Sequence, residues 1–373
     1  MSWNKIFGNE RIKRILQRAI LSKKVPHSYL FIGNDGVGKD AFAIQIAKVL
    51  NCKNPIINNN LIDCCEQCNN CISINNFSNP NFELIFPLPV TNDSSSNTFS
   101  DALLEEIKYQ LELKIKNHYH KIRIKNANFI RVSAIREIKR KLSLSSFSNQ
   151  TRVILISEAE KMNTEAANAF LKTLEEPNPN TLIILTTSNP NLILDTIKSR
   201  CQVIKFSPIP EDIITNFLVN KYNIEENNAK IIASLSDGSI SNAIDNINEK
   251  FIELENLTIE LLRTSLKKKN FRKDLYQGIS YILDNYDKND ILKLFKILIF
   301  WLKDAENFKY NKEKFKSNKY SSNYEKFINN FTTQNYLEII NFIDDAILFM
   351  NRNVILNGVL IKLFLQIRHY LNK

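Results

Sequence analysis

Long apolar runs are missing from this sequence. The longest, Ile297–Leu302, lies between Lys296 and Lys303, whereas a helix that crosses a bilayer needs about 20 mostly apolar residues. Met1–Lys5 is followed by no apolar core of the kind that a signal peptide has. We therefore expect a cytoplasmic protein with no membrane partner.

Glycine is also scarce, with 7 residues in a chain of 373. Asn, Ile and Lys are used heavily, and because an AT-rich genome produces the same bias, part of the net charge of +11 reflects composition. The remaining positive charge favours polyanion partners, but the chain has no separate DNA-reading motif. Its densest basic clusters are Lys267–Lys269 and the lysines of residues 303–319. They predict either DNA phosphate contacts or a solvated charged face.

The stretch Thr151–Cys201 has the order of a nucleotide-binding α/β domain. An apolar β-branched run, 151–156, predicts a buried parallel strand, and Ser157 and Glu158 follow at its carboxyl end, where open α/β sheets hold ligands. A helix predicted from a cap at Asn163 is ended by Pro177. A second buried strand, 181–187, then leads to Ser188 and, further on, to an exposed arginine, Arg200.

An earlier stretch has the context of a phosphate-binding loop, since a strand precedes Gly33, Gly36, Gly38 and Lys39 and a helix follows them. Glycines there let backbone N–H groups surround a phosphate, and the lysine reaches the outer phosphates. The next residue is normally Ser or Thr, whose hydroxyl binds Mg²⁺, but here it is Asp40. A carboxylate repels phosphate, so we expect weak nucleotide binding or none.

Five of the six cysteines lie between residues 52 and 71. Cys65, Cys68 and Cys71 have CxxCxxC spacing, and Cys52 precedes them at the end of the predicted P-loop helix. In a reducing compartment, four such thiolates predict a structural, tetrahedral Zn²⁺ site. Cys64 is an alternative to Cys65. The other interpretation is a set of reduced, unligated cysteines. A catalytic role is not expected, because no histidine is near in sequence.

Taken together, these segments resemble the AAA+ clamp-loader family of bacterial replication. Two motifs carry the resemblance. The predicted helix segment Asn168–Pro177 is similar to the family's N-A-x-L-K-x-L-E-E-P motif, and Ser199-Arg200-Cys201 is similar to its Ser-Arg-Cys motif. It is strong over residues 3–90 and 130–245 and weak elsewhere. It implies a small zinc module at the cysteines and names the tip Ser157-Glu158 as the Walker B motif.

The resemblance also implies that the ATPase machinery is incomplete. The Walker B glutamate, Glu158, is present, but its aspartate has become Ser157. The sensor 1 residue corresponds to Thr187 or Ser188, and the lid arginine of sensor 2 has become Ser241. Together with Asp40, these changes remove both metal anchors and one phosphate contact. We therefore expect no ATP hydrolysis by the chain itself, and the sequence leaves open whether ATP with Mg²⁺ is bound at all.

Arg200 corresponds to the family's arginine finger, which stabilises a neighbouring subunit's ATP transition state in trans. The alternative is an ordinary surface arginine. A degenerate ATP site with an intact finger is the pattern of a stator subunit rather than a motor. The implied partners are the other clamp-loader subunits (tau/gamma and delta), the sliding clamp and primer-template DNA. The alternatives are the ATPase motor itself and a stand-alone zinc-containing DNA-binding protein.

The expected fold is therefore an α/β AAA+ P-loop domain with a zinc module, a small helical lid and an all-α C-terminal collar. The predicted boundaries are 1–207 for the core, 208–249 for the lid and 250–373 for the collar. Within the core lie the zinc module, at about 52–71, and an insertion, at about 91–128. The function of the insertion is not readable from its sequence.

Overall fold

The computed structural model describes residues 2–89, 100–143, 150–247, 249–312, 320–331, 335–352 and 354–372. They form two compact units: Met1–Ile214 with Gly238–Asn242, and Thr215–Asp237 with Ala243–Lys373. The predicted lid is thus divided between the units, and its standing as a separate domain remains a prediction. Among the described helices, none has the length and apolar character needed to cross a membrane.

The first unit contains a parallel sheet of five strands. Its strands are β1 (Ser28–Ile32), β4 (Phe82–Ile85), β5 (Arg152–Ile156), β6 (Thr181–Thr187) and β7 (Gln202–Lys205). The order across the sheet is β4-β5-β6-β1-β7, and the register pairs Leu30 with Leu185 and Ile154 with Ile183. Because all the strands are parallel, the segments that follow β1, β5 and β6 emerge at one edge. The predicted parallel α/β sheet is confirmed.

Nine helices of the described residues belong to this unit in whole or in part. Two pack early in the chain, α1 (Glu10–Leu21) and α2 (Lys39–Asn51), and a short α3 (Asn69–Asn75) follows. The others are α4 (Asp101–Lys116), α5 (Val132–Ser143), α6 (Thr164–Glu175), α7 (Asp195–Lys198), the start of α8 (Glu211–Tyr222) and the start of α10 (Ile240–Asp245). Single 3₁₀ turns occur at Trp3–Lys5, Ala159–Lys161 and Pro190–Leu192.

The strands alternate their side chains between two helical layers. Ile154, Ile156 and Ile183 lie in one core cluster with residues of α5 and α6 such as Ile135 and Phe170. On the other layer, α2 contacts β5 and β6. The start of α6 is fixed by Asn163, whose side chain accepts a hydrogen bond from the Ala166 N–H at 2.8 Å, as a helix cap does. This layering holds the common edge of β1, β5 and β6 in place.

Two smaller structural features lie between the strands and helices of the α/β unit along the chain. A hairpin of β2 (Ile56–Asn58) and β3 (Leu61–Asp63) precedes α3 and carries the cysteine-rich segment. The predicted insertion contributes α4, whose first turn is capped by the Ser100 side chain. Residues 90–99, at the start of that insertion, lie outside the described residues.

The second unit is helical throughout its described part. It comprises the rest of α8 and α10 together with α9 (Glu226–Leu235), α11 (Glu249–Ser265), α12 (Phe271–Asn285), α13 (Lys288–Tyr310), α14 (Ser321–Asn330), α15 (Tyr336–Asn351) and α16 (Leu356–Leu371). The predicted apolar segment 289–303 lies in α13, where Leu294, Phe295 and Leu298 are fully buried. Contacts of α13 with α11, α14 and α15 form the centre of this bundle.

Candidate nucleotide and metal sites

The phosphate-binding loop lies between β1 and α2, at the sheet edge where β5 and β6 also end. Gly36 and Gly38 have φ values of +73° and +100°, a region that glycine adopts without steric cost. The backbone N–H of Ile240 donates to the Gly36 carbonyl at 3.1 Å. A Cβ at Gly36 would lie 2.1 Å from the Ser239 hydroxyl and 2.8 Å from Ser241 Cβ. The segment Ser239–Ser241, which is predicted to correspond to sensor 2, therefore packs directly on this loop.

Lys39 is directed back onto its own loop. Its ammonium donates to the carbonyls of Gly33, at 2.6 Å, and Asn34, at 2.8 Å. Burial lowers the pKa of Lys39, while the nearby carboxylates of Asp35 and Asp40 act in the opposite direction. The ammonium that would reach the outer phosphates is thus held by backbone oxygens.

Asp40 is the centre of a polar cluster. One carboxylate oxygen, Oδ2, accepts from the Lys114 ammonium and from the Ser157 hydroxyl, both at 2.8 Å. The other, Oδ1, accepts from the Thr186 hydroxyl at 3.0 Å. The Lys114 side chain is 1% exposed and that of Asp40 16%. Burial alone would raise the pKa of Asp40, but Lys114 and Ser157 hold it below its ordinary value.

The segment after α4 covers the same cleft. Tyr119 packs against Gly38, where an added Cβ would lie 2.9 Å from the ring. Its hydroxyl accepts from the Phe7 N–H at 2.6 Å. Lys121 pairs with Asp35 at 2.7 Å and with Glu158 at 3.1 Å. Burial lowers the pKa of Lys121, but these two carboxylates raise it by more.

The space left in this cleft is small. The cavity lined by the loop, the tips of β5 and β6 and the segment after α4 has a volume of about 40 Å³. Ligand pockets typically have volumes of about 300–1,000 Å³. A nucleoside triphosphate does not fit into this cavity in the present arrangement of side chains.

The sensor 1 candidates have separate partners. The Thr187 hydroxyl accepts from the Asn189 N–H at 3.1 Å, and the Ser188 hydroxyl donates to Glu160 at 2.9 Å. Their neighbour Thr186 is the residue of this strand that bonds to Asp40. Glu158 has φ of +55°, and its carboxylate also pairs with Lys161 at 3.0 Å. The predicted nucleotide residues therefore lie together, but their polar side-chain atoms are bonded to neighbouring residues of the core and to the insertion.

Four cysteines form a second site. The sulfur atoms of Cys52, Cys65, Cys68 and Cys71 lie within 4.8 Å of one another, although their residues span the end of α2 and the start of α3. The Cys65 N–H donates to the Cys52 sulfur at 3.2 Å, and the Cys68 N–H donates to the Cys65 sulfur at 3.4 Å. Such N–H donors stabilise thiolates.

The geometry of these sulfurs fits a metal ion. A tetrahedral zinc with Zn–S bonds of about 2.3 Å has its sulfurs about 3.8 Å apart, and four thiolates are the ligands that zinc prefers. Cys64 lies outside the group: it is 2% exposed, and its sulfur accepts from the Gln45 amide at 3.4 Å. The four clustered cysteines can bind a metal, and zinc remains a prediction.

Arg200 lies after α7 on the surface of the first unit. Its guanidinium pairs with the Glu175 carboxylate at 2.6 Å and donates to the Thr196 carbonyl at 2.9 Å. The side chain is 34% exposed and that of Glu175 is 47% exposed. Exposed pairs of this kind contribute about 0–1 kcal/mol, so Glu175 holds the guanidinium only weakly.

Comparison with known proteins decides the family. Residues 8–210, more than half of the chain, match the family described as DNA polymerase III, delta subunit. This chain belongs to the DNA polymerase III clamp-loader family.

Several clamp-loader subunits are similar in sequence. The tau subunit of Bacillus subtilis is 28% identical over 82% of this chain and 50% of its own length. The delta' subunit of the same bacterium is 27% identical over 70% of this chain and 66% of its own length. The gamma/tau subunit of Mycoplasma genitalium is 30% identical over 69% of this chain and 37% of its own length.

These relatives do not separate the subunit types. This chain spans only about half the length of the Bacillus tau subunit, and the tau and delta' relatives have similar sequence identity to it. A solved structure of a gamma subunit-related protein from Thermotoga maritima aligns with 96% of this chain and 99% of its own, with 16% identity and a TM-score of 0.37, which is too low to support an argument.

The sequence did not predict four residues of the phosphate-binding cleft: Lys114, Tyr119, Lys121 and Thr186. The first three come from the insertion, and Lys114 lies 74 residues from Asp40 along the chain. One signal could have pointed to Lys114, because a carboxylate buried at the start of the helix after the loop needs a cation. The sequence pattern does not say which of the 50 lysines and arginines supplies it.

Proposed function

We propose that this chain is the delta-prime, or stator, subunit of the clamp loader. In this proposal it binds the other subunits, helps them to load the sliding clamp onto primed DNA, and hydrolyses no ATP itself. The proposal rests on the Asp40 cluster. A carboxylate stands where the metal-binding hydroxyl of a P-loop belongs, and Ser157 stands where the metal-binding aspartate belongs. A Mg²⁺-assisted phosphoryl transfer without these two groups loses its principal charge stabilisation.

The proposed mechanism acts in trans. Arg200 is presented to the ATP site of the adjacent motor subunit, where its guanidinium leaves Glu175 and stabilises charge on the transferred phosphoryl group. A finger supplied in this way contributes about 10³–10⁵-fold to the rate at that site. The four clustered cysteines would hold a structural zinc ion that fixes the segment 52–71 on the core.

The motor subunit of the same complex is the second candidate. It is favoured by the similarity to Bacillus tau, which covers more of this chain than the similarity to delta' does. A motor must turn over ATP at its own loop, so the two candidates differ in one measurable property. The residues of the cleft favour the stator.

The test is steady-state ATP turnover by the chain alone and by the reconstituted assembly with sliding clamp and primed DNA. We expect no turnover by the chain alone. In the assembly, Arg200→Ala should reduce clamp loading by at least about tenfold, since one ATP site loses its finger. Arg14→Ala, which removes another exposed arginine, is the matched control and should leave loading unchanged.

Two outcomes would overturn the proposal. Substantial turnover by the isolated chain would favour the motor. If the Arg200→Ala assembly loads clamps as fast as the native one, Arg200 does not act as an arginine finger and only a scaffold role is left for this chain.

A further inference from the structure

The insertion supplies three side chains to the phosphate-binding cleft. Lys114 comes from the last turn of α4, and Tyr119 and Lys121 come from the residues that follow it. They reach Asp40, Gly38 and Glu158, which belong to the loop and to the tip of β5. The insertion is thus part of the wall of this site rather than a surface addition.

The charges in this cleft are balanced by the chain itself. Lys114 places one ammonium 2.8 Å from the Asp40 carboxylate and also donates to the His120 carbonyl at 2.8 Å. Ser157 and Thr186 complete the hydrogen bonds of that carboxylate. A P-loop ATPase holds a hydrated Mg²⁺ beside the hydroxyl that follows the loop lysine. Here an ammonium lies against the residue at that position.

The remaining contacts close the cleft over this pair. Tyr119 packs on Gly38 and is anchored through its hydroxyl to the backbone of Phe7, 112 residues away. Lys121 bridges Asp35 of the loop to Glu158 of the strand tip. The segment therefore ties together the two parts of the core that a nucleotide bridges in an active P-loop protein.

We propose that Lys114–Lys121 is a permanent internal occupant of the phosphate-binding cleft, with the Lys114 ammonium in place of the metal ion. The segment excludes nucleotide and holds the loop and the strand tip together without it. The inference goes beyond the proposed stator role, because a stator could equally leave this cleft open, and it is incompatible with the motor role, because a motor must admit ATP here.

The first test is a double-mutant cycle on the full chain, read as thermal unfolding. Asp40→Asn and Lys114→Met each leave a buried partner unpaired, so each should lower Tm by about 10 °C. The double variant should be more stable than either single variant, because no uncompensated charge remains. Lys116→Met removes an exposed lysine from the same helix and should change Tm by no more than about 2 °C. Additive losses in the double variant would show that the pair does not form.

The second test is binding of a fluorescent ATP analogue with Mg²⁺. We expect no saturable binding by the native chain at millimolar analogue. Asp40→Thr combined with Lys114→Ala and Tyr119→Ala restores the hydroxyl and opens the cleft, and it should bind at least tenfold more tightly. Native binding in the micromolar range would overturn the proposal. If the triple variant is unfolded by circular dichroism, the decision falls on protection of the 114–121 amides from hydrogen exchange, which must be unchanged by the analogue.

Discussion

At the scale of single residues, Asp40 links the stability of the core to pH. Its pKa in the folded chain lies below the ordinary value because Lys114 and Ser157 outweigh the effect of burial. The unfolded value is about 3.9. A group with a lowered folded pKa contributes stability that is complete above the unfolded value and is lost as the pH falls through the folded one.

We predict how Asp40→Asn changes the free energy of unfolding across this range. At pH 7 the variant should be less stable by about 3–5 kcal/mol, the cost of leaving a buried charge unpaired. The difference should be constant between about pH 5 and 8 and should shrink below about pH 4, where the carboxylate of the unfolded chain binds a proton while the native one is still charged. Urea unfolding at several pH values measures it. A difference that stays constant down to pH 3 would contradict the assigned pKa direction.

At the scale of elements, the cysteine-rich segment has few buried apolar contacts to stabilise it. The strands β2 and β3 have three residues each, and Ile56 and Ile57 are 48% and 56% exposed. So short a hairpin, with apolar side chains exposed on both of its faces, has little core of its own. A metal ion held by Cys52 and the CxxCxxC cysteines would supply the missing stability.

We predict that Cys52→Ser lowers the zinc content from about one ion per chain towards zero when the protein is dialysed against a weak chelator. The loss of one of four thiolates weakens the site, and Tm should fall with the metal. Cys64→Ser is the matched control, since it changes the neighbouring buried thiol that lies outside the cluster. Elemental analysis measures the outcome. Equal zinc loss in both variants, or no zinc in the native chain, would refute the assignment.

The elements also show how far the sequence determines this site. The run 181–187 is β6 as predicted, and 151–156 differs from β5 by one residue, because apolar β-branched runs between turn residues have few other buried arrangements. The cap at Asn163 and the four cysteines follow equally local rules. These features depend on residues close together in the chain, so spacing alone predicts them.

The role of α4 could not be predicted in this way. A lysine near the end of an amphipathic helix is normally solvated, and the pattern around Lys114 is no different from that around Lys116. What distinguishes Lys114 is its contact with Asp40 across 74 residues, which exists only in the folded core. The substitutions at Asp40 and Ser157 indicated an altered metal site, but the group that compensates for them is visible only in three dimensions.

At the scale of the whole molecule, the net charge of +11 predicts some DNA binding by the isolated chain. The strength and selectivity of that binding distinguish a subunit that acts in an assembly from a stand-alone DNA-binding protein. A positively charged surface without base-reading groups binds DNA through phosphate neutralisation and counterion release. We therefore predict that the isolated chain binds primed duplex weakly, with Kd of about 10⁻⁴–10⁻⁶ M near physiological salt.

The affinity should fall steeply with salt, and it should not distinguish primer-template from a blunt duplex of equal length. Fluorescence anisotropy between about 50 and 200 mM salt measures both properties. Replacing Lys267, Lys268 and Lys269 with Gln tests the densest described basic cluster, and a smaller salt slope would place phosphate contacts there. Tight binding at physiological salt with a preference for the primer junction would instead favour the stand-alone alternative, because such selectivity requires contacts beyond phosphate neutralisation.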